Sequence, residues 1–195
     1  MTGIVLASGS RVRASLLTNA GIAFETIPAD LDEDEVKRGF AGPPDGLARE
    51  LASRKAQAVS ESHPDDLVIG ADQVLACEGR AFDKPKSIDE ARRNLQFFRA
   101  KTHTLHSGIA LFRAGDPLWT ETVDAHLTMR DFSDTFLDRY LDEAGKAILS
   151  SVGAYQLESL GVQLFERIEG DYFTILGLPL LALMGRLRDL GALEA

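Results

Sequence analysis

Only one cysteine, Cys77, occurs in 195 residues. No intramolecular disulfide can form, and the composition fits a reducing cytoplasm. Within an apolar strand such a cysteine serves as a small buried hydrophobe. Long apolar runs are missing too: the longest, Ile175 to Gly185, is interrupted by Pro179 and is too short to span a bilayer. The opening Met1-Thr2-Gly3-Ile4 has neither a basic n-region nor a long apolar h-region, so no signal peptide is expected. Positive charge is scarce, with 21 Lys and Arg against 30 Asp and Glu, a net charge of −9 and a pI near 4.9. Duplex-binding proteins need a basic stripe to neutralise phosphates, so a nucleic-acid polymer is excluded as partner. A single nucleotide is not, because a few local cations and a metal ion can set the field at a site. There is no Walker A loop, G-x-x-x-x-G-K-[ST], and Leu6-Ala7-Ser8-Gly9-Ser10 lacks the G-x-S-x-G pattern of a hydrolase nucleophile.

What is present is ordinary globular material, 45% hydrophobic and 26% charged. It suits one domain over residues 1–195, with room for two lobes and no low-complexity linker. Ile4-Val5-Leu6 reads as a buried strand, followed by a small polar turn and a helix from about Arg11 to Ala20 that stops at Gly21. A second strand near Phe24 to Ile27 leads into the acidic stretch Asp30 to Glu35 and the loop Gly42-Pro43-Pro44. Leu47, Leu51, Ala52, Ala58 and Val59 then recur at helical spacing. Leu67 to Cys77 is apolar on both faces, the pattern of a central strand. Ser87 and Glu90 cap a helix to about Ala100. Thr104–Phe112 and Leu118–Met129 pair around Gly115-Asp116-Pro117. Ser133 caps a helix ending near Gly145, Val162 to Ile168 forms a strand, and Pro179 opens a final helix ending near Gly191. The fold class is α/β with a mixed twisted sheet and flanking helices.

Three features could carry chemistry. Ser8-Gly9-Ser10-Arg11-Val12-Arg13 is a strand-to-helix turn whose free N–H groups, hydroxyls and arginines suit phosphate, although a Ser cap with solvated arginines reads the same way. Asp72 shares a strand face with Val68 and Val74, where an unpaired carboxylate would cost several kcal/mol. It therefore needs a cation, a metal or donors, and Gly70 on that face leaves room for something to approach. Lys55 lies within the apolar stripe of its helix, and Lys84 is held extended by Pro85; either could instead be a surface cation. Together these groups make a plausible phosphate and metal site. His103-x-x-His106 is set aside as a zinc pair, because an odd spacing in a strand puts the rings on opposite faces.

An ordered set of short motifs resembles the Maf family of nucleotide pyrophosphatases. It runs from Leu6-Ala7-Ser8-Gly9-Ser10 with Arg13 and Leu16-Leu17, through Asp32-Glu33, Lys55-Ala56, Ile69-Gly70-Ala71-Asp72, Lys84-Pro85 and Ser107-Gly108. It ends with Gly153-Ala154-Tyr155, Ile168-Glu169-Gly170-Asp171-Tyr172 and Gly177-Leu178-Pro179-Leu180. The resemblance implies two lobes around a central cleft, a homodimer, and cleavage of a nucleoside triphosphate to monophosphate and pyrophosphate with Mg²⁺ or Mn²⁺. It makes Asp72 the proton acceptor, and Arg13, Lys55 and Lys84 the phosphate-site cations. Ser8 and Ser10 become the phosphate loop, and Glu33 joins Asp72 as a metal ligand.

Three departures from the family pattern stand out: Arg11 in place of Pro, Asp83 before Lys84 in place of Gly, and Ser159 where Gly is common. Val12, Gln73 and Glu158 occupy the positions that distinguish branches of the family. Gln73 and Glu158 resemble the branch acting on 7-methyl-GTP rather than the one acting on dTTP and UTP. An ionised Glu only accepts hydrogen bonds, which suits the N–H donors of a guanine edge. The family's link to bacterial septation leaves a nucleotide-binding regulator without turnover as the other class.

Overall fold

Alternation along three strands decides where the core of the larger unit lies. In β1 (Ile4–Leu6), β3 (Leu67–Cys77) and β5 (Thr102–Arg113), the residues Ile4, Leu6, Leu67, Ile69, Ala71, Ile109 and Leu111 share one buried cluster. Val5, Ala7, Val68, Ala110 and Phe112 belong to another. Successive strand side chains point to opposite faces, so both faces of this sheet are covered. The first cluster packs on Leu16 and Leu17 of α1 (Arg11–Asn19) and on Leu180, Leu183 and Leu187 of α7 (Leu180–Asp189). The second packs on Ala52, Ala56 and Val59 of α3 (Pro44–Ser60). Each fully buried Leu or Ile contributes about 1.5–3 kcal/mol.

The computed structural model describes residues 3–194. Its seven-stranded mixed sheet has the order β2-β1-β3-β5-β6-β7, with β4 paired to β3 off that path. The remaining strands are β2 (Glu25–Thr26), β4 (Arg80–Phe82), β6 (Asp116–Met129) and β7 (Phe165–Glu169). β1 runs parallel to β2 and β3, whereas β3–β4 and β6–β7 are antiparallel. The other helices are α2 (Glu33–Gly39), α4 (Ile88–Phe98), α5 (Asp134–Ala144) and the single turn α6 (Tyr172–Ile175). Among the described residues no helix is long and apolar enough to cross a membrane.

The chain divides into two compact units. The first comprises 1–73, 106–123 and 171–195, and the second 74–105 and 124–170. The second unit is aromatic at its centre: Phe82, Phe97, Phe98, His103, Tyr155 and Phe165 make successive ring contacts. There α4 and α5 are tied by Arg99–Asp134 at 2.5 Å and by Arg92–Asp138.

Most expected elements occur, with informative differences. The acidic stretch is not a plain loop but opens α2, where the Asp32 carboxylate accepts from the Glu35 amide at 3.0 Å. Its acids sit in the first turn and Lys37 and Arg38 in the last, matching the helix dipole. The hairpin β3–β4 was not anticipated; Glu78 and Gly79 turn it with φ of 50° and 75°, the type I′ pattern. The β5–β6 turn falls at Ala114-Gly115, earlier than expected, and β6 already begins at Asp116. Val162 and Leu164 lie in a 3₁₀ turn (Leu160–Leu164) rather than in a strand, and only Phe165–Glu169 is extended. Cys77 is buried in β3, as a small hydrophobe should be.

Candidate functional site

Two glycines set the distance between α3 and the sheet. A Cβ on Gly70 would lie 2.0 Å from the Ala52 carbonyl oxygen and 2.9 Å from the Ala56 Cβ; one on Gly108 would lie 2.2 Å from the Ala48 carbonyl oxygen. Ala48, Ala52 and Ala56 recur every four residues, so one small-residue face of α3 rests on backbone. Gly70 does leave room, but the helix fills it rather than a ligand. On the same strand face two residues further lies Asp72, and α3 presents Lys55 to it.

The result is a buried ion pair shared with a third group. The Lys55 ammonium donates to Asp72 Oδ1 at 2.5 Å and lies 2.7 Å from Glu33 Oε1. The Lys55 and Asp72 side chains are 10% and 12% exposed, and Glu33 42%. Lys55 therefore does not snorkel. Its burial is compensated by two carboxylates, as a charge out of water requires. Glu33 arrives on α2, the helix that went unread.

The Ser8–Arg13 turn stands beside this group. Ser10 caps α1, its hydroxyl accepting from the Arg13 amide at 3.4 Å, and the Ser10 amide donates to Ser8 Oγ at 3.3 Å. The Arg13 guanidinium donates from Nη1 to Ser8 Oγ at 3.1 Å and to the Ala71 carbonyl at 2.8 Å. Its Nε donates to the Gly177 carbonyl at 2.8 Å. Nη2 makes none of these bonds. Burial pulls the Arg13 pKa below the ordinary arginine value, while the charges of Asp72 and Glu33 pull it back up. With two donors already on Ser8 Oγ, its lone pairs are engaged and its O–H is left to donate. That state suits a phosphate ligand better than an acyl nucleophile.

Gln73 follows Asp72 on β3 and points to the opposite face. Its Nε2 lies 2.9 Å from Ser107 Oγ, 3.0 Å from the Thr174 carbonyl and 3.1 Å from the Ile175 carbonyl. Carbonyls can only accept, so the amide orientation is set with Nε2 as the donor. Ser107 Oγ also donates to the Thr174 carbonyl at 2.8 Å. Val12 is half-buried on α1. Lys84 and Glu158 belong to the second unit and are exposed there.

The expected groups Ser8, Ser10, Arg13, Lys55, Asp72 and Glu33 thus converge within the first unit. Ser107 and the carbonyls of Ala71 and Gly177 were missed as parts of this arrangement. A carbonyl has no signature in sequence; the only hint was that Ser107 and Gly177 fell inside the motifs. His103, by contrast, is buried among Phe98, Tyr155 and Phe165, with Nε2 2.7 Å from Tyr155 Oη and Nδ1 unpartnered. Burial pushes its pKa down to about 4 and that of Tyr155 far up.

Arg13 and Lys55 carry two positive charges and Glu33 and Asp72 two negative ones, so the cluster is formally neutral and cannot by itself offset a triphosphate. Among the described residues no group of three or more His, Cys, Asp and Glu could hold a metal ion. Two carboxylates meeting at one point nevertheless fit a hard divalent cation of the Mg²⁺ kind, which takes one or two carboxylates and completes its shell with substrate phosphates and water.

Comparison with known proteins agrees with the ordered motifs. The chain is 54% identical over 192 residues to the nucleoside triphosphate pyrophosphatase of Paramagnetospirillum magneticum, covering 97% of this chain and 99% of that one. It is 50% identical over 195 residues to the protein of the same name from Maricaulis maris, covering both chains fully. It is 48% identical over 194 residues to the 7-methyl-GTP pyrophosphatase of Rhizobium etli, covering 98% of each. The family model described as Maf-like protein matches residues 3–190, and the chain therefore belongs to the Maf family.

Proposed function

We propose that this chain is a nucleoside triphosphate pyrophosphatase that hydrolyses the α–β phosphoanhydride to a nucleoside monophosphate and pyrophosphate. The observation that carries the reading is the Lys55–Asp72–Glu33 group beside the Ser8–Arg13 turn, in a chain about 50% identical along its length to proteins of that name. Asp72, with Oδ1 held by Lys55, orients the attacking water through Oδ2 and accepts its proton; a positioned general base contributes about 10²–10⁴-fold. Ser8, Ser10 and Arg13 bind phosphate oxygens at the N-terminus of α1, where backbone N–H groups also point outward. Lys55 adds positive charge that stabilises the departing pyrophosphate. Asp72 and Glu33 would hold Mg²⁺ or Mn²⁺, which would supply the charge that the neutral cluster lacks.

The preferred base is proposed to be 7-methylguanine. The support is Glu158, an exposed carboxylate that when ionised only accepts hydrogen bonds. Methylation at N7 makes the base cationic, which a carboxylate favours, whereas uracil and thymine would set an acceptor oxygen against it. Relatives bearing the 7-methyl-GTP name stand at the same level of identity as those bearing the general one.

A product assay tests the activity. Purified protein with Mg²⁺ should release pyrophosphate and monophosphate from a nucleoside triphosphate, and a chelator should stop it. Diphosphate and orthophosphate as first products would place the chain in another reaction class, and binding without turnover would make it a nucleotide-binding regulator.

A further inference from the structure

The segment that carries Glu158 is a loop whose neck is closed. Tyr155 and Phe165 stand at its two ends, and their rings meet edge to face, 4.8 Å between centroids. Inside it the Ser159 amide donates to the Gln156 carbonyl at 3.1 Å, and a Cβ on Gly161 would lie 2.5 Å from the same oxygen. Gln156, Ser159 and Gly161 therefore move as one piece with Glu158. Loops of this compact form, with adjoining ends, often carry function. His103 of β5 sits at the neck and touches both ends: its ring centroid is 5.6 Å from that of Tyr155 and 5.9 Å from that of Phe165. Its Nε2 lies 2.7 Å from Tyr155 Oη. At the far end Arg130 donates from its amide to the Leu164 carbonyl at 2.9 Å and from Nε to the Gln163 carbonyl at 2.6 Å.

At neutral pH burial keeps His103 uncharged, with one N–H. If Nε2 carries that hydrogen, the Tyr155 hydroxyl hydrogen has no acceptor among the described residues; if Nδ1 carries it, the ring hydrogen has none. Two phenylalanines would fill the same space with no hydrogen left over, so packing does not account for the pair. What a hydrogen bond adds to packing is direction. We propose that His103 is a positioning residue for base selection: its bond to Tyr155 fixes the neck of the 155–165 loop and so holds the Glu158 carboxylate where the nucleotide's base is read. This rests on the reading of Glu158 as the base-selecting acid. Once that bond is cut, the neck keeps only ring contacts, which let the rings slide and turn. The piece bearing Glu158 then swings about the end held by Arg130. None of these bonds involves Ser8, Arg13, Lys55 or Asp72, so phosphate binding stays as it was.

The test is calorimetric binding of 7-methyl-GMP and UMP, monophosphates of the kind the reaction releases, to the full chain at neutral pH. Wild type, His103→Phe, Glu158→Gln and the double variant would be compared. Wild type should bind 7-methyl-GMP more tightly than UMP. His103→Phe should weaken 7-methyl-GMP about tenfold, through misplacement of one charge-assisted contact, and leave UMP unchanged. In the Glu158→Gln background it should weaken neither further. A 7-methyl-GMP affinity equal to wild type, an equal loss on UMP, or losses that multiply in the double variant would each overturn the inference. Should His103→Phe lack a cooperative melt, Tyr155→Phe replaces it, since it cuts the same bond from the other side and leaves no hydroxyl unpaired. A loss confined to 7-methyl-GMP is again expected, and wild-type affinity refutes the proposal. If Glu158→Gln binds 7-methyl-GMP as wild type does, the base reading falls and this inference with it, whereas a loss in Glu158→Gln but not in His103→Phe sinks the inference alone. A wild type that binds 7-methyl-GMP through Glu158 and His103 but releases no pyrophosphate would sink the pyrophosphatase reading and leave this one standing.

Discussion

Lys55 Nζ lies 2.5 Å from Asp72 Oδ1, and the same ammonium reaches Glu33 Oε1 at 2.7 Å. Because Lys55 has two carboxylate partners, either can be neutralised without leaving the buried cation alone. Asp72→Asn should therefore keep a cooperative melt close to that of wild type while kcat falls about 10²–10⁴-fold. Measuring kcat and the melting curve on the same preparation checks it. A folded variant with near-normal kcat would remove Asp72 from the chemistry.

Gly70→Ala tests whether the α3 seam places Lys55. The added methyl would meet the Ala52 carbonyl oxygen at 2.0 Å, so helix and strand must separate. Overpacking of this kind costs roughly 1–3 kcal/mol or more. The urea midpoint should fall accordingly, and kcat should fall with it as Lys55 moves off Asp72. Retention of both would show that the seam can absorb the methyl elsewhere.

His103 should make stability depend on pH. Its folded pKa, about 4, lies below the ordinary 6.5. Between those values the unfolded chain binds the proton more readily, so stability rises with pH across this window. It is lost as pH falls through it, by about 3 kcal/mol in full. Melting temperatures measured from pH 4 to 7 should show that slope, and His103→Phe should flatten it. The variant will be less stable at neutral pH, because the Tyr155 hydroxyl loses its partner.

Base preference is checked with kcat/KM for 7-methyl-GTP, GTP, UTP and dTTP. Wild type should favour 7-methyl-GTP, and Glu158→Gln should lose about 10–100-fold on it, the worth of a hydrogen bond to a charged group. The same variant should change little on UTP. A wild-type preference for UTP or dTTP would overturn the base assignment without touching the bond cleaved.

Much of this molecule was legible in the chain itself. Period-two and period-3.6 apolar patterns are local properties, so β1, β3, α1, α3 and the capped starts of α4 and α5 follow from neighbouring residues alone. A carboxylate in the apolar run of β3 and a lysine in the apolar stripe of α3 likewise declared that each needed a partner. What neighbours in sequence could not decide was who that partner would be. Asp72 and Lys55 meet because Gly70 and Gly108 admit the backbone of α3, and Glu33 joins them because Asp32 starts a short helix out of an acidic stretch. The acceptors that aim Arg13 are main-chain carbonyls at 71 and 177, which every residue possesses and no side chain advertises. Only the folded chain brings those carbonyls to one guanidinium, because contacts between residues distant in sequence form only when the apolar faces on both sides of the sheet have closed.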